Sequence, residues 1–375
     1  MKKTIIIASA SSGWGHVQAA NNIDKALSSL GQGWHIEDVN IFDYLPSAIR
    51  LVFNDGWRIA SKHSDWFYNE FYRYSVSKRS VRQLTEKLVG SAVQRLARNF
   101  EHSEVSVFIA THSIAAMVGS LLKPYLEYKL CVAATDFVLH PMQVFPNVDF
   151  FYLPPVYHKV VTAQYDLECI DKKIQHTGIP IAPEFALYKD KEVLRKQFGL
   201  SANLYTVLFS FGGTGLRADK HINLFENLLK LDLPLQFLVL AGQNYHFAEA
   251  MRNKYENSKF KDRVKVYNYL GDVSDFYAAA DLFIGKAGGL TLSEALASGL
   301  PIIIIDALPG QEAFNVEVLS SNNLGHSIGC LSDLAELISS FLSGRLGSSL
   351  RNDLHFLARP HSSLDVAKHI MCLTN

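Results

Sequence analysis

The residues best suited to chemistry stand just after short apolar runs. His16 follows Ile5-Ile6-Ile7-Ala8-Ser9 and the small loop Ser11-Ser12-Gly13-Trp14-Gly15. An imidazole that is neutral near pH 7 suits a general base, worth about 10²–10⁴-fold in rate. A lone histidine serves equally well inside a core, so residue type alone leaves both readings open. Asp136, after the apolar run 130–134, stands where it can orient His16, and His140 stands where it can touch an acceptor. A second loop, Gly212-Gly213-Thr214-Gly215, closes the run 206–211. Glycines let backbone amides approach a phosphate, and the helix start that follows adds free N–H groups and partial positive charge. The Thr214 hydroxyl adds a donor. A third loop, Lys286-Ala287-Gly288-Gly289-Leu290-Thr291, leads one turn later to Glu294, which can hold ribose hydroxyls. Thr291 and Glu294 also match a capping box, and spacing alone favours that reading. Finally, Pro309-Gly310-Gln311-Glu312 with Asn315 groups donors and acceptors that can read sugar hydroxyls or cap a helix.

Loops of this kind need strands to hold them. The runs 105–110 and 130–134 are almost continuously apolar, and 3–9, 34–39, 206–211, 235–241, 264–267, 282–284 and 302–305 read as further strands. Helical stretches at 17–30, 219–231, 290–298 and 312–319 alternate with them. Such alternation predicts α/β architecture with parallel sheets covered on both faces. The order strand, glycine loop, helix occurs twice, and Thr177-Gly178-Ile179-Pro180-Ile181-Ala182-Pro183 suits a linker between the repeats. The expectation is two Rossmann-like doubly wound domains, 1–178 and 179–355, with a helix at 356–375 returning to the first. Ligands would bind in an interdomain cleft at the strand carboxyl ends. A length of 375 residues fits two domains.

Composition narrows the function. Lys and Arg total 36 and so do Asp and Glu, which disfavours a nucleic-acid binder. Four scattered cysteines form no CxxC pair, so neither a zinc site nor a disulfide framework is expected, and a reducing cytosol fits. The first loop lacks GxGxxG, which disfavours NAD. The apolar start at Ile5 is shorter than a signal peptide requires, and no run reaches the ~20 residues of a spanning helix. Residues 50–100 depart from the neutral average, with ten Lys/Arg against four Asp/Glu. They combine Trp57, Trp66, Phe67 and Tyr68 with Arg73, Lys78, Arg79 and Arg82. Rings at headgroup depth and cations near anionic lipid are what an interfacial segment uses. The alternative is a helical pair that packs its aromatics into the core.

On these motifs the chain resembles the monogalactosyldiacylglycerol synthases and, more closely, the bacterial processive diacylglycerol glucosyltransferases, within glycosyltransferase family 28. The resemblance runs nearly end to end. It rests on Gly13-Trp14-Gly15-His16-Val17-Gln18-Ala19-Ala20, Thr135-Asp136-Phe137-Val138-Leu139-His140 and Pro146-Asn147-Val148-Asp149. Thr177-Gly178-Ile179-Pro180, the stretch 286–295 and Pro309-Gly310-Gln311-Glu312 complete it. It implies a GT-B fold with His16 at the position of the family's proposed base. Gly212, Gly213, Thr214, Gly289, Leu290 and Thr291 fall on the diphosphate cradle, Leu270 on a residue whose backbone reads uracil, and Glu294 on the ribose holder. Gln311 and Glu312 fall on sugar contacts, with Asn315 in the same loop, and Gly15 and the bulky Trp14 border the acceptor side. The aromatic-basic stretch falls where this family meets membranes.

The implied activity is inverting transfer of glucose or galactose from a UDP-sugar to diacylglycerol or a glycosyl-diacylglycerol. The UDP-hexose is a co-substrate, and no metal or other cofactor is expected. The protein would be cytoplasmic, peripheral on an anionic inner membrane face. One departure is Ala182, which stands where the family usually has an arginine facing phosphate, so either Lys286 or a backbone nest supplies that charge or donor binding is weaker. Transfer to another lipid-linked or soluble acceptor, a UDP-sugar 2-epimerase and a catalytically silent UDP-sugar sensor are the alternatives. The aromatic-basic stretch argues against the epimerase.

Overall fold

A computed structural model of the chain describes residues 3–11, 13–31, 33–51, 79–159, 170–231, 233–344 and 357–374, with backbone alone at 48, 51 and 79–81. Trp57, Trp66, Phe67, Tyr68, Arg73 and Lys78, and the side chain of Arg79, lie outside the described residues.

The chain divides into two units, the first made of Met1–Pro183, Leu308–Asn315 and His361–Asn375. Its sheet contains β1 (Thr4–Ser9), β2 (His35–Asn40), β3 (Val105–Ala110), β4 (Lys129–Ala133), β5 (Phe150–Tyr152) and β6 (Ile174–Gln175). The order is β2-β1-β3-β4-β5-β6, all parallel. Every residue of β1 is buried, because successive side chains enter opposite layers. Ile5 and Ile7 pack with Ala20 and Ile23 of helix α1 (Trp14–Ser29), whereas Ile6 and Ala8 pack on the other face. That second face takes Val89, Ala92, Val93 and Leu96 of α2 (Arg79–Asn99), and Met117 and Val118 of α3 (Ser113–Leu122). Two-sided burial is why these strands read as unbroken apolar runs. Arg82, expected on a membrane-facing surface, is instead engaged within the fold. It lies 3.3 Å from Glu86 Oε1, donates to the Val144 carbonyl at 3.4 Å and stacks 4.2 Å over Phe145.

The second unit comprises Glu184–Ala307 and Val316–Pro360. Its strands are β7 (Tyr205–Ser210), β8 (Leu235–Leu240), β9 (Val264–Tyr267), β10 (Leu282–Lys286), β11 (Ile302–Asp306) and β12 (His326–Ser327). They are parallel in the order β9-β8-β7-β10-β11-β12, the Rossmann arrangement. Its helices include α4 (Ile222–Lys230), α5 (Ser274–Ala279) and α6 (Gly289–Ala297). Helix α7 (Gln311–Ser321) begins in the segment assigned to the first unit, and α8 (Ser362–Thr374) buries Val366, Ala367 and Ile370 against the Ile5 and Ile7 face of the first sheet. Strand order reverses between β1 and β3 in one sheet and between β7 and β10 in the other. Open α/β sheets bind ligands at such switch points, and the candidate loops follow those strands.

Candidate active site

In the first unit the switch point presents a side chain. Helix α1 starts at Trp14 with Gly13 as an extended N-cap and no side-chain cap, and His16 lies in its first turn beside Gly15. His16 Nδ1 is 2.8 Å from the Thr111 carbonyl oxygen and 2.9 Å from Thr135 Oγ1. A carbonyl can only accept, so the proton sits on Nδ1 and Nε2 carries the lone pair. The Thr111 hydroxyl donates back to the His16 carbonyl at 2.9 Å, tying the residue after β3 to the first turn of α1. Burial lowers the His16 pKa to about 4 against the opposing Thr111 hydrogen bond, so the ring is neutral at pH 7.

Two further histidines share this neighbourhood. His112 meets His16 edge to face at 4.5 Å and accepts from the Ile114 amide as the N-cap of α3. Burial, and then the proximity of His16 and His140, hold it well below the usual imidazole range. His140 was expected at the acceptor. It is buried, and its Nδ1 accepts from the Met142 amide at 3.1 Å while its own amide donates to Gln143 Oε1 at 3.1 Å. Its ring caps a 3₁₀ turn at 141–143.

Asp136, expected to orient His16, stands one hydroxyl further back. Thr135 Oγ1 lies between them, 3.5 Å from Asp136 Oδ2. The group on Nδ1 is a main-chain carbonyl, which sequence reading had no signal to find. Asn315, expected to read donor sugar, is fully buried. Its Oδ1 accepts from the Phe137 amide at 2.7 Å and its Nδ2 donates to Asp136 Oδ1 at 2.8 Å. Both polar atoms are thus committed inside the protein. Gln311 and Glu312 sit half-buried on the first turn of α7, after Gly310 at φ +84°. One Glu312 carboxylate oxygen accepts from the Leu308 amide at 2.6 Å.

In the second unit the switch point presents backbone. Gly212, at φ +70°, makes the turn after β7. Gly242, at φ +59°, packs so closely beneath it that a Cβ there would lie 2.3 Å from the Gly212 carbonyl oxygen and 2.6 Å from that of Gly213. The Thr291 hydroxyl faces both loops, since a Cβ built on Gly212 or Gly288 would meet it at 3.7 or 3.6 Å. Gly288 is the N-cap of α6 and no side chain caps it, so the helix start offers the main-chain amides of Gly289, Leu290 and Thr291. Leu290 contributes through its backbone, its side chain being buried. The capping-box reading of Thr291 and Glu294 is therefore incorrect, because a glycine occupies the cap position. Glu294 Oε2 instead accepts from the Tyr277 hydroxyl at 3.0 Å. Burial lifts the Glu294 carboxyl to about 8, Tyr277 opposing and Asp272 reinforcing. Thr214 is exposed and accepts from the Leu216 amide at 3.3 Å, and Leu270 is exposed.

A charged group not anticipated from the sequence stands on the same strand ends. Asp306, last in β11, lies 3.3 Å from Arg217 Nε and 3.4 Å from His221 Nε2. Burial would raise its pKa, but His221, Arg217 and Lys286 outweigh that and hold it below the usual carboxylate range. Arg217 follows the glycine loop and is itself left-handed at φ +67°. Arg217 and Lys286 therefore place positive charge in this unit, whereas Ala182 is buried in the first. Among the described residues no group of three or more His, Cys, Asp or Glu has an arrangement fit for a metal ion.

The chain's likeness to known proteins agrees with this division. The family model for monogalactosyldiacylglycerol (MGDG) synthase matches residues 16–181, and that for the glycosyltransferase family 28 C-terminal domain matches 207–318. A processive diacylglycerol beta-glucosyltransferase of Bacillus pumilus is 25% identical over 370 residues, covering 98% of this chain and 94% of the relative. Its namesake in Bacillus subtilis is 27% identical over 342 residues, 91% and 87% of the two chains. Among solved structures, MurG of Acinetobacter baumannii superposes with a TM-score of 0.64 at 15% identity over 99% of this chain and 100% of that one. HepE of Anabaena in complex with UDP gives 0.55 at 15% over 99% and 100%. These are GT-B glycosyltransferases, and the two parallel-sheet units described above are that fold. One model thus falls on the histidine-bearing unit and the next on the glycine-loop unit, so along its sequence the chain carries the match to the monogalactosyldiacylglycerol synthases first and that to the C-terminal domain of glycosyltransferase family 28 second.

Proposed function

We propose that the protein transfers a hexose, with inversion, from a UDP-sugar to the free hydroxyl of diacylglycerol or of a glycosyl-diacylglycerol. The observation that carries this is the fixed tautomer of His16: its Nδ1 proton is committed to the Thr111 carbonyl, so Nε2 is the basic atom. The acceptor hydroxyl gives its proton to Nε2 as its oxygen attacks the anomeric carbon. The bond from that carbon to the diphosphate oxygen breaks, and the electron pair leaves with UDP. Charge growing on the diphosphate meets the amides of the Gly212 loop and the start of α6, with Lys286 supplying a cation. Each well-placed donor of this kind contributes about 3 kcal/mol. Glu294 holds the ribose, and Gln311 and Glu312 read the sugar.

Glucose is the favoured hexose, as in the names of the Bacillus relatives. Among the described residues no helix is long and apolar enough to cross a membrane. Access to a lipid acceptor therefore falls to peripheral docking, for which the aromatic and cationic residues of 50–100 are the candidate surface. The test incubates purified protein with diacylglycerol vesicles and, separately, UDP-glucose, UDP-galactose and UDP-N-acetylglucosamine. Mass spectrometry of the lipid should show one or more added hexoses with UDP-glucose. No glycolipid with any donor overturns the reading.

A further inference from the structure

Behind the His16 ring runs a line of hydrogen bonds that ends on a different part of the chain. His16 Nδ1 lies 2.9 Å from Thr135 Oγ1, which lies 3.5 Å from Asp136 Oδ2. Asp136 Oδ1 accepts from Asn315 Nδ2 at 2.8 Å, and Asn315 Oδ1 accepts from the Phe137 amide at 2.7 Å. The polarity is consistent throughout: the imidazole N–H is shared between the Thr111 carbonyl and the Thr135 oxygen, and Thr135 then donates to the carboxylate. The Phe137 carbonyl is itself held by the His158 amide at 2.8 Å, and the His158 ring stacks on Phe314 at 4.3 Å. Loop 135–137 is thus gripped at both its amide and its carbonyl by groups that also hold the segment Leu308–Asn315. That segment carries Gln311 and Glu312.

We propose that Asn315 is a positioning residue for the transfer step: it locks the segment that reads the donor sugar to the Asp136–Thr135 pair behind the catalytic imidazole. The inference rests on the transferase reading above and gives Asn315 a role that touches no ligand. Because Asn315 is fully buried with both amide atoms committed, it acts through Asp136. Misplacing a reacting group by about 1 Å can cost 10²-fold in rate, the scale on which such a lock would be felt.

The pair can be exchanged without losing its geometry. Asn315→Asp alone sets two carboxylates face to face and should lower kcat by about 10²-fold, and Asp136→Asn alone by about tenfold. In the double exchange, the carboxylate now at position 315 can still accept from the Phe137 amide and from the side-chain amide now at 136, while that amide's oxygen accepts from Thr135. Turnover should return to within about tenfold of the parent protein, with UDP affinity by calorimetry near parental in all three. Parental kcat in Asn315→Asp overturns the proposal, as does a double exchange no faster than that variant. A loss that lies wholly in UDP affinity also overturns it, because Asn315 would then be a ligand contact. Hydrogen exchange at the Phe137 amide provides a readout without turnover: protected in the parent and the double exchange, unprotected in Asn315→Ala. Equal protection in all three sinks the lock. Absence of both UDP binding and product in the parent protein counts against the transferase reading instead.

Discussion

The two switch points solve different chemical problems with different parts of the polypeptide. In the first unit a side chain does the chemistry in a desolvated setting: His16, His112 and His140 all have pKa values lowered by burial and sit in hydrogen bonds that fix their tautomers. In the second unit the main chain does the binding, with glycines, an uncapped helix start and a paired set of charges. A proton acceptor must stay neutral until it acts, which a desolvated pocket ensures. A diphosphate must be met by many weak donors at once, which side chains alone would crowd. The difference teaches where each half is fragile: the first to changes of functional group, the second to changes of backbone shape.

The strongest way to test that contrast is His16→Ala. It should lower kcat by about 10²–10⁴-fold and leave UDP affinity, measured by calorimetry, unchanged. The parent enzyme's kcat should stay flat from about pH 8 to about pH 5 and fall as pH drops towards about 4, where Nε2 takes a proton. A loss of UDP affinity in this variant would erase the division of labour.

Next in size is Gly242→Ala, which inserts a Cβ 2.3 Å from the Gly212 carbonyl oxygen at a left-handed position. Relieving that contact displaces the Gly212 loop, and left-handed strain adds about 1–2 kcal/mol. UDP affinity should fall by about tenfold or more, while turnover at saturating donor changes little.

A smaller effect follows from Tyr277→Phe. The Tyr277 hydroxyl stabilises ionised Glu294 against burial, so its removal raises a carboxyl already at about 8. Ribose hydroxyls donate best to the ionised form, so UDP affinity should drop roughly threefold to tenfold at pH 7 and recover only at a pH above the parent's midpoint of about 8. Affinity that is unchanged, or that worsens with rising pH, would contradict the sign. The least change belongs to Thr214→Val: the exposed hydroxyl takes up the Leu216 amide, a bond that water can replace, so affinity should shift by no more than about threefold.

Most of the two sheets was legible before the structure because two-sided burial writes itself as nearly unbroken apolar runs, as in Val105–Ala110 and Leu235–Leu240, whereas the edge strand His35–Asn40 is largely polar and only partly buried. The short strands Phe150–Tyr152, Ile174–Gln175 and His326–Ser327 were not legible, being two or three residues long and too short for any period. His16 and the glycine loops stood out by type and spacing. Their partners did not. The Thr111 carbonyl is main chain, Tyr277 approaches Glu294 from another helix, and Asn315 reaches Asp136 across 179 residues. Thr291 and Glu294 misled because a capping box and a ligand-binding helix start share one spacing, and only backbone geometry shows that Gly288 holds the cap.

The first unit is assembled from three separated stretches, and this bears on how the protein is made. Its sheet is encoded before Pro183, yet Leu308–Asn315 and His361–Asn375 belong to it as well. At roughly 5–20 residues per second, the ribosome needs about 10–40 s after Pro183 to deliver the last of them. Throughout that interval the layer of Ile5, Ile7, Val107 and Ile109 lacks Val366, Ala367 and Ile370, which bury against it in the finished fold. The second unit, interrupted only by the stretch 308–315, can close earlier. The later-encoded unit can therefore close first, while the earlier one holds an open apolar face until Val366, Ala367 and Ile370 arrive to cover it.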